Sequence, residues 1–158
     1  MAMNILIRRA TIKDLYAIQA LSQALFEYER TYTKEYNLAW SHSTDAQKYF
    51  TKRLKSRSMF ILIAEIDSNI IGYASVSIEK LSWRLYNPIA EIENLCVDPL
   101  YRGKGVGTML MQEILNIVKK RGVKRLKVIA LSNNNPALRF YRNNGYKDKD
   151  IILEKDII

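Results

Sequence analysis

Apolar positions change period several times along this chain, and each change marks an element. Asn4–Arg9 carries the pattern of a strand. Thr11 with Asp14 three residues later has the spacing of a helix-opening capping box. Beyond it Leu15, Ile18, Leu21, Leu25 and Phe26 form one apolar stripe, which predicts a helix packed on a sheet. Glu29–Ser43 is polar and aromatic without a clear period and reads as a pocket-shaping loop, and Asp45–Lys55 returns to a short helix. Met59–Ile66 and Ile70–Ile78 are β-rich runs joined by Asp67, Ser68 and Asn69, residues suited to a tight hairpin turn. Ile89–Val97 reads as a fourth strand, and Gly105–Arg121 as a helix with Val106, Leu110, Ile114, Ile117 and Val118 on one face. Val123–Leu131 follows as a fifth strand, Pro136–Arg142 as a short helix and Ile151–Glu154 as a last strand.

The predicted order is βααβββαβαβ. A strand, a glycine-rich loop, a helix and another strand make a crossover unit, so the fourth and fifth strands are expected to run parallel. The hairpin-linked strands beside them make the sheet mixed. Nothing in the chain reads as a repeat or a linker, and 158 residues suit a single domain spanning 1–158.

Composition narrows the function classes. Hydrophobic residues at 48% and charged residues at 26% belong to a folded globular chain. No apolar run reaches the roughly 20 residues needed to span a bilayer, so no membrane partner is expected and the chain reads as cytoplasmic. One cysteine and one histidine exclude an internal disulfide and leave too few ligands for an ordinary zinc site, so no metal is expected. The net charge of +9 favours polyanions of any kind, from nucleic acid to a phosphate-rich cofactor, or a simply solvated basic surface.

The chemistry concentrates in Asp98-Pro99-Leu100-Tyr101-Arg102-Gly103-Lys104-Gly105-Val106-Gly107-Thr108, which leads from an apolar strand into a periodic helix. The first amides of a helix lack internal partners and its dipole is positive there, so phosphate oxygens are accepted readily. Glycines let the anion approach, Arg102 and Lys104 add charge, and Thr108 adds a hydroxyl. Gly103, Gly105 and Gly107 fit neither the dinucleotide fingerprint nor the P-loop.

Arg102-Gly103-Lys104-Gly105-Val106-Gly107 resembles, at every specified position, the [Gln/Arg]xxGx[Gly/Ala] acetyl-CoA pyrophosphate motif of the GNAT superfamily of N-acetyltransferases. Asn134, Ala137, Tyr141 and Gly145-Tyr146 resemble that family's second signature. The resemblance covers about Ile89 to Tyr146. It implies a single-domain α/β GNAT fold: a mixed, mostly antiparallel sheet with parallel, splayed central strands four and five and about four helices. It further implies acetyl transfer from acetyl-CoA to a small-molecule or peptide amine in a ternary complex, and it admits a homodimer. Leu95, Cys96 and Val97 would pair with the pantetheine arm, with the Val97 amide toward the thioester carbonyl. Arg102, Gly103, Lys104, Gly105, Val106, Gly107 and Thr108 would hold the pyrophosphate, and Asn134 would contact pantetheine, although its side chain also suits a helix cap.

Amine attack on a thioester builds charge on the carbonyl oxygen and then on sulfur, so donors are needed at both places. Tyr141 matches the family's acid for the departing thiolate. An amine arrives protonated at neutral pH and needs a base. Glu91 and Glu93 lie two apart on one strand and share a face, and Glu93 fits the family's base position better; a bulge in that strand would change which residues face the cofactor. Cys96 reads as core packing rather than as a nucleophile, and His42 has no identifiable partner. Tyr28, Tyr32, Tyr36, Trp40, Trp83 and Tyr86 fall in the two connections where this family builds its acceptor pocket. Two other classes stay open: an acyl-CoA sensor without catalysis, and a nucleic-acid binder, against which counts the lack of any recognised motif.

Overall fold

The structure is a computed structural model describing residues 3–158. One sheet runs in the spatial order β1 (Leu6–Arg9), β2 (Met59–Ile66), β3 (Asn69–Glu79), β4 (Ile89–Val97), β5 (Arg125–Val128). The first four strands pair antiparallel and β5 lies parallel to β4. Helices α1 (Leu15–Glu29) and α2 (Thr44–Lys55) cover one face, and α3 (Val106–Lys120) and α4 (Asn135–Asn143) cover the other.

Two cores follow from alternation along the strands. Phe60, Leu62 and Ala64 of β2 meet Val106, Leu110, Met111 and Ile114 of α3. Ile61 and Ile63 point the opposite way, onto Ile18 and Leu21 of α1 and Phe50 of α2. A strand covered on both faces reads as an unbroken apolar run, as β2 does. Each such side chain contributes roughly 1.5–3 kcal/mol of burial free energy.

Local signals set the helix starts. Asp14 accepts from the Thr11 amide at 2.7 Å, the return half of the expected capping box, and a short 3-10 turn at Ile12–Asp14 leads into α1. Asp14 also receives both terminal nitrogens of Arg8, each at 2.9 Å, and Arg8 bridges on to Glu65. This guanidinium holds the Asp14 carboxyl below its usual range. Ser43 opens α2 by accepting from the Ala46 amide at 3.1 Å. Asp67 and Ser68 take φ of 47° and 64°, the primed geometry that suits a two-residue hairpin, so Asn69 already belongs to β3.

The end of the chain departs from expectation. Residues 147–158 contain no strand, and Ile151, Ile152 and Leu153 are 86%, 60% and 89% exposed. Three consecutive apolar side chains offer no alternation that would commit one face to a core. The expected fifth strand, Val123–Leu131, is also reduced to four residues, because the Val123 amide closes α3 by donating to the Val118 carbonyl at 3.0 Å. β5 is therefore an edge strand rather than a central one.

Candidate active site

β4 and β5 pair only where Ile89–Ile92 faces Arg125–Val128. Past Ile92, β4 keeps β3 as its partner and its other edge has no strand partner from Glu93 to Val97, where only the Val97 carbonyl is engaged, by Arg102. The two parallel strands thus splay as expected. A register break sets Ser75 opposite Asn94 and Val76 opposite Ile92, which leaves Glu93 as the extra residue of a bulge. Parity switches there: Ala90 and Ile92 pack toward α3 before it, Leu95 and Val97 after it, while Cys96 packs toward α1.

The bulge also fixes the two carboxylates. Glu93 is gripped by Arg53 of α2, with Nε 2.6 Å from one oxygen and a terminal nitrogen 2.7 Å from the other, and the Ser75 hydroxyl donates at 3.0 Å. The Arg53 guanidinium also lies 3.3 Å from the centre of the Tyr49 ring. Glu91 pairs with the Lys127 ammonium at 2.7 Å. Both carboxylates share the face expected of them, and both carry a cation.

At the C-terminal end of β4, Gly103 and Gly105 adopt φ of 72° and 85°, which side-chain-bearing residues rarely take, and open space surrounds both. The first intrahelical bond of α3 runs from the Met109 amide to the Gly105 carbonyl, so the amides of Val106, Gly107 and Thr108 precede it. Thr108 and Lys104 are exposed beside them, whereas the Val106 side chain is buried and leaves only its amide for a ligand. This set of donors fits a pyrophosphate. A Cβ on Gly107 would come within 3.2 Å of the Phe140 ring, so glycine here permits close packing of α3 on α4. Arg102 has a structural engagement as well. Its Nε donates to the Val97 carbonyl at 2.9 Å and its guanidinium lies 4.4 Å from the centre of the Tyr28 ring.

Tyr141 sits on α4 between Phe140 and Tyr146, at ring-centre distances of 5.2 and 5.5 Å. Burial first, and the charge of Glu29 second, push its hydroxyl up to about 12. Asn134 is buried and accepts from the Ala137 amide at 3.2 Å, so its oxygen caps α4. The Cys96 thiol donates to the Leu21 carbonyl at 3.3 Å, and burial pushes it up to about 12, which fits core packing and not nucleophilic chemistry. Leu95 lies against Gly107, leaving β4's backbone edge as its ligand-facing feature. Of the aromatics, Tyr36 and Trp40 stack on Phe26, and Tyr28 meets Tyr32 edge-on. Trp83 and Tyr86 are exposed and sit under Arg84 and Arg125 instead. His42 is exposed.

Three site residues carried no prediction from the chain alone. Arg53 and Ser75 lie 40 and 18 residues from the carboxylate they hold, a separation no local pattern reveals. Glu29 was readable in principle. It follows Leu25 and Phe26 of the α1 stripe at helical spacing, a charged residue where an apolar one is expected.

Among known proteins, the family model described as Acetyltransferase (GNAT) family matches residues 20–146. The chain belongs to that family, whose members are acyltransferases. It is 28% identical to spermidine N(1)-acetyltransferase of Thermoplasma acidophilum, over 97% of this chain and 98% of that protein. It is 27% identical to an uncharacterized N-acetyltransferase of Methanocaldococcus jannaschii, over 68% of this chain but only 47% of that protein. Aminoglycoside N-acetyltransferase AAC(6')-Iy in complex with CoA has the same fold, with TM-score 0.80, 16% identity, and coverage of 99% of this chain and 97% of that one. No described helix is long and apolar enough to cross a membrane, and no described group of His, Cys, Asp or Glu could hold a metal ion.

Proposed function

We propose that this protein moves an acetyl group from acetyl-CoA to a primary amine of a small molecule or peptide by direct transfer. The observation that carries this reading is the open edge of β4 from Glu93 to Val97, ending at the unpaired amides that open α3. An extended pantetheine arm would add to the edge as a strand does, and the pyrophosphate would rest at the helix start. The edge then holds the thioester carbonyl still while an amine attacks it.

Tyr141 is the proposed acid for the departing sulfur. Its raised hydroxyl keeps the proton at neutral pH, so donation to sulfur is uphill as a separate step and is proposed to run in concert with C–S cleavage. Glu93, bound by Arg53 and Ser75, serves in this reading to fix α2 against the bulge beside the acceptor. Spermidine and aminoglycosides are named for related proteins, and cationic amines of those kinds are the first acceptors to test.

The test is thiol release from acetyl-CoA across polyamines, aminoglycosides, amino acids and peptide amines, with Tyr141→Phe beside the wild type. Acceptor-dependent release that drops about 10²-fold in the variant supports the reading. Tight acetyl-CoA binding with no release from any acceptor would favour a sensor. A homodimer is proposed too: β5 has an open edge, and the exposed Ile151, Ile152 and Leu153 offer a second copy an apolar segment to pair with. Light scattering should give twice the chain mass, and deletion of 151–158 should halve it.

A further inference from the structure

Glu91 and Glu93 each hold a cation, so the amine chemistry needs a carboxylate that does not. Glu29, in the last turn of α1, is such a group. Two contacts bracket its position. One residue earlier, the Tyr28 ring lies over Arg102 at the start of the glycine cradle. Three residues later, the Tyr32 carbonyl accepts from Nδ2 of the Asn133 side chain at 3.0 Å, just before α4. The end of α1 therefore spans the two sides of the splay, with Glu29 between them. Its carboxylate is half-buried, and its charge is felt at Tyr73 of β3, Cys96 of β4 and Tyr141 of α4.

We propose that Glu29 receives the acceptor as an ammonium and takes its first proton, which makes the substrate class a cationic alkyl amine. This rests on the acetyl-transfer reading above. Phe26, Tyr36 and Trp40 stack on one another beside the same turn, an aromatic cluster whose edges suit the methylene arm of such an amine. The steps balance. The ammonium gives one proton to the Glu29 carboxylate, which passes it to solvent. The free amine forms a C–N bond to the thioester carbon, and the C–S electron pair leaves with sulfur. Sulfur takes the Tyr141 proton, and the phenolate regains one from the nitrogen as the amide forms. One proton is released overall.

Burial makes Glu29 more basic than an ordinary carboxylate, opposed in part by the nearby Tyr36 hydroxyl. A carboxylate at the C-terminal, negative end of a helix is disfavoured as well. Around it, Tyr36, Tyr73 and Tyr141 are all raised and Cys96 is pushed up to about 12, each chiefly by burial. Burial thus moves the Glu29 carboxyl toward neutrality, the direction a proton acceptor needs.

The experiment compares wild type, Glu29→Gln and Glu29→Asp with one accepted amine, following kcat/KM from pH 6 to 10, with acetyl-CoA affinity measured by calorimetry. Expected is a loss of about 10²-fold in Glu29→Gln at pH 7. Acetyl-CoA affinity should be unchanged, the loss should shrink steadily toward pH 10, where a substantial share of an alkyl amine with a pKa of about 10.4 is already neutral, and Glu29→Asp should be intermediate. A merely structural role would not recover at high pH. Unchanged kcat/KM in Glu29→Gln beside a large loss in Tyr141→Phe overturns this proposal and leaves the acetyl-transfer reading standing. No turnover of any amine by wild type that binds acetyl-CoA overturns both. Should Glu29→Gln not fold, a Glu29→Asp variant whose loss persists undiminished at pH 10 overturns it equally.

Discussion

Arg53 of α2 binds both carboxylate oxygens of Glu93, 2.6 and 2.7 Å away, at the one point where β4 carries an extra residue. The pair ties a helix of one layer to the irregularity that opens the sheet. Both side chains are mostly buried, at 11% and 19% exposure. Removing one partner leaves a charge with little water to compensate it. Arg53→Ala should therefore cost about 3 kcal/mol in urea unfolding. Arg53→Met combined with Glu93→Leu should recover most of that stability, since neither charge then remains.

Glu29 links activity to stability with opposite signs. A carboxyl whose folded-state basicity is raised favours folding in its protonated form, and that contribution disappears as pH rises through the folded value. The charged form at neutral pH is thus a cost. Glu29→Gln should melt at a higher temperature than wild type at pH 7, and the difference should vanish below pH 4, by differential scanning calorimetry.

Asp14 behaves in the reverse direction. Arg8 lowers its folded-state value, so its stabilising contribution is present above the ordinary carboxylate range near 3.9 and is lost as pH falls through the lowered one. Asp14→Asn should destabilise the protein at pH 7 by about 1–3 kcal/mol. Its stability should change less than that of wild type between pH 5 and 2.

Gly107 tests the packing of α3 on α4. A methyl there must displace the Phe140 ring, the neighbour of Tyr141, by a few tenths of an ångström. Gly107→Ala should raise KM for acetyl-CoA several-fold while leaving circular dichroism unchanged.

Gly72 tests the other side of β4. Its absent Cβ would lie 2.9 Å from the Cys96 carbonyl, a backbone atom that cannot swing aside. Gly72→Ala should cost about 1–3 kcal/mol by thermal melting, because overpacking must shift the strand itself.

Much of the fold was legible in the chain. Ile89–Val97 and the stripe of α1 appear where their patterns predict, and Met59–Ile66 where its β-rich apolar run does, because these are local properties of consecutive residues. The glycine series announced the turn into α3 for the same reason, since positive φ is a demand on single residues. The hairpin residues Asp67 and Ser68 belong with these.

What the chain alone left undecided depends on partners distant in sequence. The bulge at Glu93 arises from how β3 and β4 register, and the fate of its carboxylate from a helix 40 residues earlier. Ile151–Glu154 has strand-forming residues, yet β5 offers only four residues to pair with, and the segment stays exposed. Glu29 read as the first residue of the polar loop to Ser43; the structure makes it the last residue of α1, a half-buried carboxylate set where Tyr28 meets Arg102 and Tyr32 meets Asn133. Period determines where elements form, because it acts between neighbours; burial and pairing determine what a charged residue does, and those exist only once the layers have closed around it.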